Sequence, residues 1–299
     1  MNITAEFKQK VVAALKDVRT RYGGIDKDFA RQWDINGSVW SRLKNGETDG
    51  LLKDNQWLNI GRNLNITTNE RVWKMAKTEV FTAIKSDVEF CQMHSKSMSL
   101  VDDCDIGKSF TGRYLSKTLN NCFYLDASQC KTRSLFIRTL AKVIGVDSTG
   151  RLSDVKENTK YYLRMLTKPV VIIDEAGDFD SGVELEVKEY WNATEGCCGW
   201  YRMGAEGFRA KIERGISNKK VGYRENLRRY GGKFLKIVPV EKNEEQVFYS
   251  KLIGDVLSVN IKDKTRIPAL IKKCLVRDEK GKIGGLTMAE TLLILNDVA

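Results

Sequence analysis

The sequence predicts an α/β protein: a parallel-sheet core, preceded by a small all-α domain and followed by a short helical segment. Three observations predict it. Five short apolar runs between residues 98 and 238 are separated by stretches of helical spacing, the pattern of buried parallel strands joined by helices. Residues 1–70 carry helical spacing and turn signals but no such runs. Residues 241–299 return to helical spacing. The expected domains are therefore 1–70, 71–240 and 241–299. A length of 299 residues suits about two domains, and 42% hydrophobic with 30% charged residues and 3 prolines describes a globular, helix-rich chain and excludes a disordered one.

In the first segment, Phe7, Val11, Val12, Leu15 and Val18 predict a helix, broken at Gly23-Gly24. Asp26 stands where it can cap a second helix, with Phe29, Ala30 and Trp33 on its buried face. Asn36-Gly37 predicts a tight turn, because both residues tolerate positive φ. Ser38 then caps a short helix from Val39 to Lys44 that stops at Asn45-Gly46. Leu51, Trp57, Leu58, Ile60 and Leu64 supply more helix and core. Helix, tight turn, short helix is the helix-turn-helix pattern. Over about forty residues it resembles the DNA-reading domains of phage repressors, whose second helix carries an S-x-x-S-R-hydrophobic run ending in N-G. That resemblance implies Ser38, Ser41, Arg42 and Lys44 as DNA contacts. A helical protein-docking module is the alternative the same residues allow.

The core begins with a leading helix over 71–95, on the spacing of Val72, Ala76, Val80, Ile84 and Val88. The five strands are expected at Met98–Val101, Cys122–Leu125, Val170–Ile173, Trp200–Met203 and Phe234–Val238. Past residue 241 the apolar sets Phe248, Leu252, Ile253, Val256, then Ile267, Leu270, Ile271, then Leu286 to Leu295 predict three helices.

Two motifs carry chemistry. The first strand runs into Asp102-Asp103-Cys104-Asp105-Ile106-Gly107-Lys108-Ser109, whose tail is the end of a Walker A phosphate loop. Glycine lets backbone wrap a phosphate, lysine neutralises its oxygens, a hydroxyl binds Mg²⁺, and the following helix offers its N-terminus. Asp105, Ile106, Gly107, Lys108, Ser109 and Phe110 are thus the expected nucleotide contacts. The loop departs from the full pattern, with Asp102 in place of the first glycine and Asp105 at a commonly small position. Acidic side chains suit a triphosphate only if they face away or help hold metal. The second motif, Val170-Val171-Ile172-Ile173-Asp174-Glu175, has the form of a Walker B strand. Asp174 would hold Mg²⁺ with Ser109, and Glu175 would orient and deprotonate the attacking water.

With those residues in place, the whole chain resembles the AAA+ ATPases that deliver transposases to target DNA, the family of the phage Mu B transposition protein. The matches are G-K-S at 107–109, I-I-D-E-A at 172–176, and the strand ending Arg202-Met203-Gly204-Ala205-Glu206. The resemblance implies a helix-turn-helix domain, an AAA+ core and a helical lid. It also implies ATP and Mg²⁺ as cofactors, with double-stranded DNA, a transposase and a homo-oligomer, filament or ring, as partners. It makes Arg229 in Glu225–Gly231 the arginine that reaches a neighbour's nucleotide, and Lys131, Thr132 and Arg133 the phosphate ligands on DNA. Two family positions differ: Ala205 replaces the asparagine that senses the γ-phosphate, and Thr287 stands where a lid arginine is expected. These departures leave two alternatives open, a non-hydrolysing DNA-binding regulator and a helicase-loader-like ATPase.

Charge points to the same partner. Of a net +11, most lies between Arg209 and Lys236, where ten basic residues face only Glu213 and Glu225, a field suited to a polyanion. The seven cysteines form no C-x-x-C pair and His94 is the single histidine, so they are expected as reduced core thiols rather than zinc ligands. No run approaches the roughly 18 apolar residues of a membrane span, and Met1–Lys8 holds no signal-peptide core, so the expectation is a cytoplasmic protein with no membrane partner.

Overall fold

The computed structural model describes residues 3–22, 25–64, 66, 73–277, 279, 281 and 283–297. The N-terminal helices are α1 (Ala5–Arg21), α2 (Asp26–Gln32), α3 (Gly37–Lys44) and α4 (Asp54–Asn63). Next come α5 (Glu79–His94), β1 (Ser97–Val101), α6 (Lys108–Thr118), β2 (Cys122–Asp126), α7 (Arg133–Ile144), α8 (Leu152–Met165) and β3 (Val170–Asp174). They continue as α9 (Ser181–Ala193), β4 (Gly199–Gly204), α10 (Glu206–Ser217) and α11 (Tyr223–Arg229). The chain closes with α12 (Lys242–Asn260), α13 (Ile267–Cys274) and α14 (Gly285–Asp297). It divides into two compact units, Met1–Val72 with Ser134–Tyr162, and Trp73–Arg133 with Leu163–Ala299. Among the described residues no helix is long and apolar enough to cross a membrane.

In the first unit, α1 to α4 bury one apolar cluster in which Phe29, Trp40 and Trp57 lose nearly all solvent exposure. Each such aromatic contributes about 2–3 kcal/mol by burial. Gly61 makes room for this packing, since a Cβ there would sit 2.3 Å from Cζ of Phe7. Helix α7, expected within the core segment, contributes Lys142 to this unit, with its ammonium 4.1 Å from the Trp33 ring centroid. Burial lowers the Lys142 pKa to about 8.

Three local expectations are corrected here. Ile25, not Asp26, is the N-cap of α2, and the Asp26 carboxylate instead pairs with Arg19 at 2.5 Å and with Lys44. Asn36 does not take positive φ; it caps α3 at φ −67°, and the positive φ of the turn falls on Asp34 at 54°. Ser38 is not the cap but donates both its N–H (3.0 Å) and its hydroxyl (2.9 Å) to Asn36 Oδ1. Asparagine is the better cap because its carbonyl reaches the first-turn amide from an extended backbone. The expected stop at Asn45-Gly46 is present, with Gly46 at φ 92°. Gly23-Gly24 lies outside the described residues.

The second unit holds a four-stranded parallel sheet in the order β1-β4-β3-β2. Alternation along each strand divides its side chains between two covered faces. Val170, Ile172, Tyr201 and Met203 join the core formed with α5 and α12. Trp200 and Arg202 face α9 and α10, with the Trp200 ring 6.5 Å from Tyr190 and the Arg202 guanidinium 5.1 Å from Phe208. Two glycines permit close approach: a Cβ on Gly199 would lie 2.4 Å from the Cys91 carbonyl oxygen, and one on Gly112 would lie 3.0 Å from Met203 Cε.

The leading helix is shorter than expected. It begins at Glu79 with Thr78 as N-cap, leaving Ala76 outside, while Val72 is not among the described residues. The fifth strand is also corrected, because Phe234–Val238 makes only an isolated parallel bridge, Leu100 to Leu235. Two backbone bonds form there, Val101 N–H to Leu235 O at 3.0 Å and Leu235 N–H to Ser99 O at 2.8 Å. The ladder stops because the Asp102 carboxylate accepts from the next amides, those of Ile237 (2.5 Å) and Val238 (3.0 Å). Among the described residues no disulfide joins the seven cysteines, and five of them are buried.

Candidate functional site

Parallel pairing brings every strand end to one edge of the sheet. Val101 is in register with Gly204, Ile173 with Arg202, and Asp126 with Asp174. Asp102, Gly204, Asp174-Glu175 and Asp126 therefore lie along one edge at the carboxyl ends of the strands, the edge where open α/β sheets bind ligands. Gly107, at φ 92° and ψ 18°, turns the loop into α6, a conformation that suits glycine. Among the described residues no side chain caps α6, so its first-turn amides, those of Lys108, Ser109 and Phe110, are the kind of donors that suit an anion. Ile106 is buried and anchors the loop, while Phe110 is 39% exposed beside it.

The loop's three carboxylates have partners within the fold and are turned to other elements. Asp102 holds the amides of Ile237 and Val238. Asp103 accepts the Tyr249 hydroxyl of α12 at 3.0 Å. Asp105 accepts both the Thr287 N–H (2.6 Å) and its hydroxyl (2.7 Å) at the start of α14. Burial pushes the Asp105 carboxyl pKa up, and its bonds to Thr287 oppose that shift. Lys108 is buried and donates to the carbonyl oxygens of Asp102 (3.0 Å) and Asp103.

Asp174 is 1% exposed and fixed from both sides. Its Oδ2 accepts the Tyr124 hydroxyl at 2.6 Å and its Oδ1 accepts the Glu175 amide at 3.0 Å. Glu175 takes a left-handed backbone, φ 49° and ψ 39°, and its carboxyl keeps solvent access. Crowding by the protein, then repulsion from Asp174, pushes the Glu175 pKa up. Beside this edge lies a cavity of about 290 Å³ lined by Trp73, Phe81, Ile106, Phe110, Leu286 and Glu290, with Trp73 Nε1 donating to Glu290 Oε1 at 3.0 Å.

The remaining expected residues lie elsewhere. Arg229 ends α11, donates from Nε to Asn192 Oδ1 at 3.0 Å, and stacks over Trp191 at 5.1 Å. It lines a second cavity, of about 530 Å³, with Lys96 and Ser97 at the start of β1, the strand end opposite Lys108. Lys131 pairs with Asp178 at 2.8 Å and Arg133 with Glu186, while Thr132 is exposed. In the first unit Ser38, Ser41 and Arg42 are exposed, Arg42 in a surface pair with Glu47 at 2.7 Å, whereas Lys44 is held by Asp26.

Sequence reasoning missed Tyr124, Tyr249, the bonds of Thr287 to Asp105 and the buried pair of Arg202 with Glu184. Tyr124 had one readable signal: it lies on the strand beside Asp174, two residues before that strand's end. The others meet their partners across long sequence separations and leave no local trace. The chain matches no protein-family model and no curated protein.

Proposed function

We propose that this chain is an ATP-dependent DNA-binding protein built on an AAA+ core, which assembles on target DNA and regulates or recruits a transposase. One observation carries it: the Gly107-Lys108-Ser109 turn, the uncapped start of α6 and the Asp174-Glu175 pair meet at one sheet edge. In this reading the first-turn amides of α6 bind the β- and γ-phosphates. Lys108 joins them by leaving the Asp102 and Asp103 carbonyls. The base lodges in the cavity between Trp73, Phe110 and Leu286. Ser109 and the doubly hydrogen-bonded Asp174 suit Mg²⁺ held largely through water, which supplies charge neutralisation on the phosphate oxygens. Glu175 orients water and accepts its proton, and its raised pKa moves it toward the range of a working base.

Arg229, at the far end of β1 from Lys108, would act only on the nucleotide of a second copy, so turnover would require a homo-oligomer, filament or ring. The α2–α3 pair is the helix-turn-helix, with exposed Ser38, Ser41 and Arg42 toward DNA. A second reading, a non-hydrolysing DNA-binding regulator, is favoured by the engagement of Lys108 with its own loop.

The test is DNA binding and oligomer size with ATP, with ADP and without nucleotide, for wild type, Lys108→Ala and Glu175→Gln. ATP-dependent assembly on DNA, lost in Lys108→Ala and trapped in Glu175→Gln, is expected. Equal DNA binding in every condition would reject the ATP-dependent reading in favour of the second.

A further inference from the structure

Ten cations between Arg209 and Lys236 look alike in sequence, but contacts within the fold hold three of them and leave seven exposed. Lys211 is turned inward, donating to the carbonyl oxygens of Gly177 (3.1 Å) and Phe179, with burial lowering its pKa. Arg209 pairs with Glu206 at 3.4 Å and stacks on Phe234 at 5.6 Å, and Arg229 is held by Asn192 and Trp191. By contrast the other seven are exposed and make no ion pair among the described residues, and four of these, Arg214, Lys219, Lys220 and Arg224, lie at one end of the α10–α11 hairpin.

The packing makes that end a fixed projection. The Tyr223 ring lies against Gly215, where a Cβ would come within 2.2 Å of it, and this locks α11 onto α10. Lys219 (φ 52°) and Gly222 (φ 93°) turn the chain tightly between the helices, and Val221 stands 77% exposed at the tip. Lys188 of α9 adds a fifth cation, its Cδ 3.9 Å from the Cβ position of Gly222. Against these stand Glu213 and Glu225. The loop expected to hold DNA phosphates is different, since Lys131 and Arg133 are each neutralised by a carboxylate, Asp178 and Glu186.

We propose that the α10–α11 tip, through Lys219, Lys220, Arg224 and Arg214, is the surface on which the core grips the phosphate backbone of duplex DNA. The proposal rests on the DNA-binding function proposed above and locates it. Exposed cations with no intramolecular partner release counterions fully on meeting phosphate, whereas a cation in an ion pair must first leave its carboxylate. A rigid hairpin presents such charges at small conformational cost.

The experiment compares wild type, the triple variant Lys219→Ala/Lys220→Ala/Arg224→Ala, the double variant Lys131→Ala/Arg133→Ala, and Arg42→Ala. Affinity for a random-sequence duplex is measured by fluorescence anisotropy from 0.05 to 0.2 M KCl with ATP present. Each lost phosphate contact removes about 0.9 from the slope of log K against log salt, or about fivefold in affinity at 0.15 M. The triple variant is expected to lose about a hundredfold with a shallower slope, while retaining the wild-type circular dichroism spectrum and urea midpoint. The double variant is expected to lose less than threefold. A triple variant with wild-type affinity and slope, beside a weakened Arg42→Ala or double variant, would overturn the proposal. Wild type that binds no duplex at any salt would sink the DNA-binding function itself, a separate failure visible before any variant is made.

Discussion

Replacing Arg202 with methionine tests the buried centre behind the sheet edge. Arg202 and Glu184 side chains are 1% and 2% exposed and lie 3.2 Å apart. Asn226 Nδ2 donates to the Glu184 backbone oxygen (2.9 Å) and to Oε2 (3.3 Å), and the Tyr230 ring lies 3.7 Å from the guanidinium carbon. Arg202→Met keeps much of the bulk and removes the charge, leaving Glu184 buried. Breaking one partner of such a pair costs about 3–5 kcal/mol, whereas replacing both with apolar groups is often close to neutral. The lower end is expected, because Lys211 Nζ remains 4.0 Å from Glu184 Oε1. Arg202→Met should therefore cost about 3 kcal/mol, and Arg202→Met/Glu184→Leu should recover about 2 kcal/mol of it.

The assay is urea titration read by hydrogen exchange of peptides over 199–204, which isolates the strand from the first unit. A single variant within about 1 kcal/mol of wild type, or a double variant no better than the single, would refute the reasoning.

Gly199→Ala is expected to destabilise by more than about 2 kcal/mol, because its Cβ would meet the Cys91 carbonyl at 2.4 Å, whereas Gly207→Ala in α10 has nothing within 4 Å and should stabilise by about 0.5–1 kcal/mol; thermal melts of the pair decide it. Asp26, held at a pKa of about 2 by Lys44 and Arg19, contributes stability present above its unfolded pKa of about 4 and lost as pH falls toward 2. Since the group is partly exposed, Asp26→Ala should cost only about 1 kcal/mol at pH 7 and progressively less as pH falls from about 4 toward 2, measured by chemical denaturation. Asp105→Ala should speed hydrogen exchange over 286–292, because the Thr287 amide and hydroxyl at the start of α14 lose the carboxylate that accepts from them. Asp105→Asn, which keeps an acceptor and removes a charge that burial disfavours, should hold α14 close to the wild-type level at pH 7.

Much of the core was legible in the chain. Four apolar runs became strands because each is flanked by turn residues and buried on both faces, so local pattern and tertiary burial agree. The fifth run, Phe234–Val238, has the same local pattern and failed as a strand, because a side chain from a residue more than a hundred positions away holds its amides. Likewise Asn36, rather than Ser38, caps α3: both are competent caps, and backbone geometry chooses between neighbours.

The sequence by itself determined that a glycine turn with lysine and serine precedes a helix and that two carboxylates follow a buried strand. Only the tertiary structure decided where the loop's acids point and which cations stay free. Asp102, Asp103 and Asp105 each find a donor in the C-terminal third of the chain, while Lys44, Lys131 and Arg133 each find a carboxylate. The physical reason is range: helical and strand periodicity come from the backbone's own short-range geometry, whereas the fate of a charge depends on whichever opposite charge or amide the fold carries to within about 3 Å.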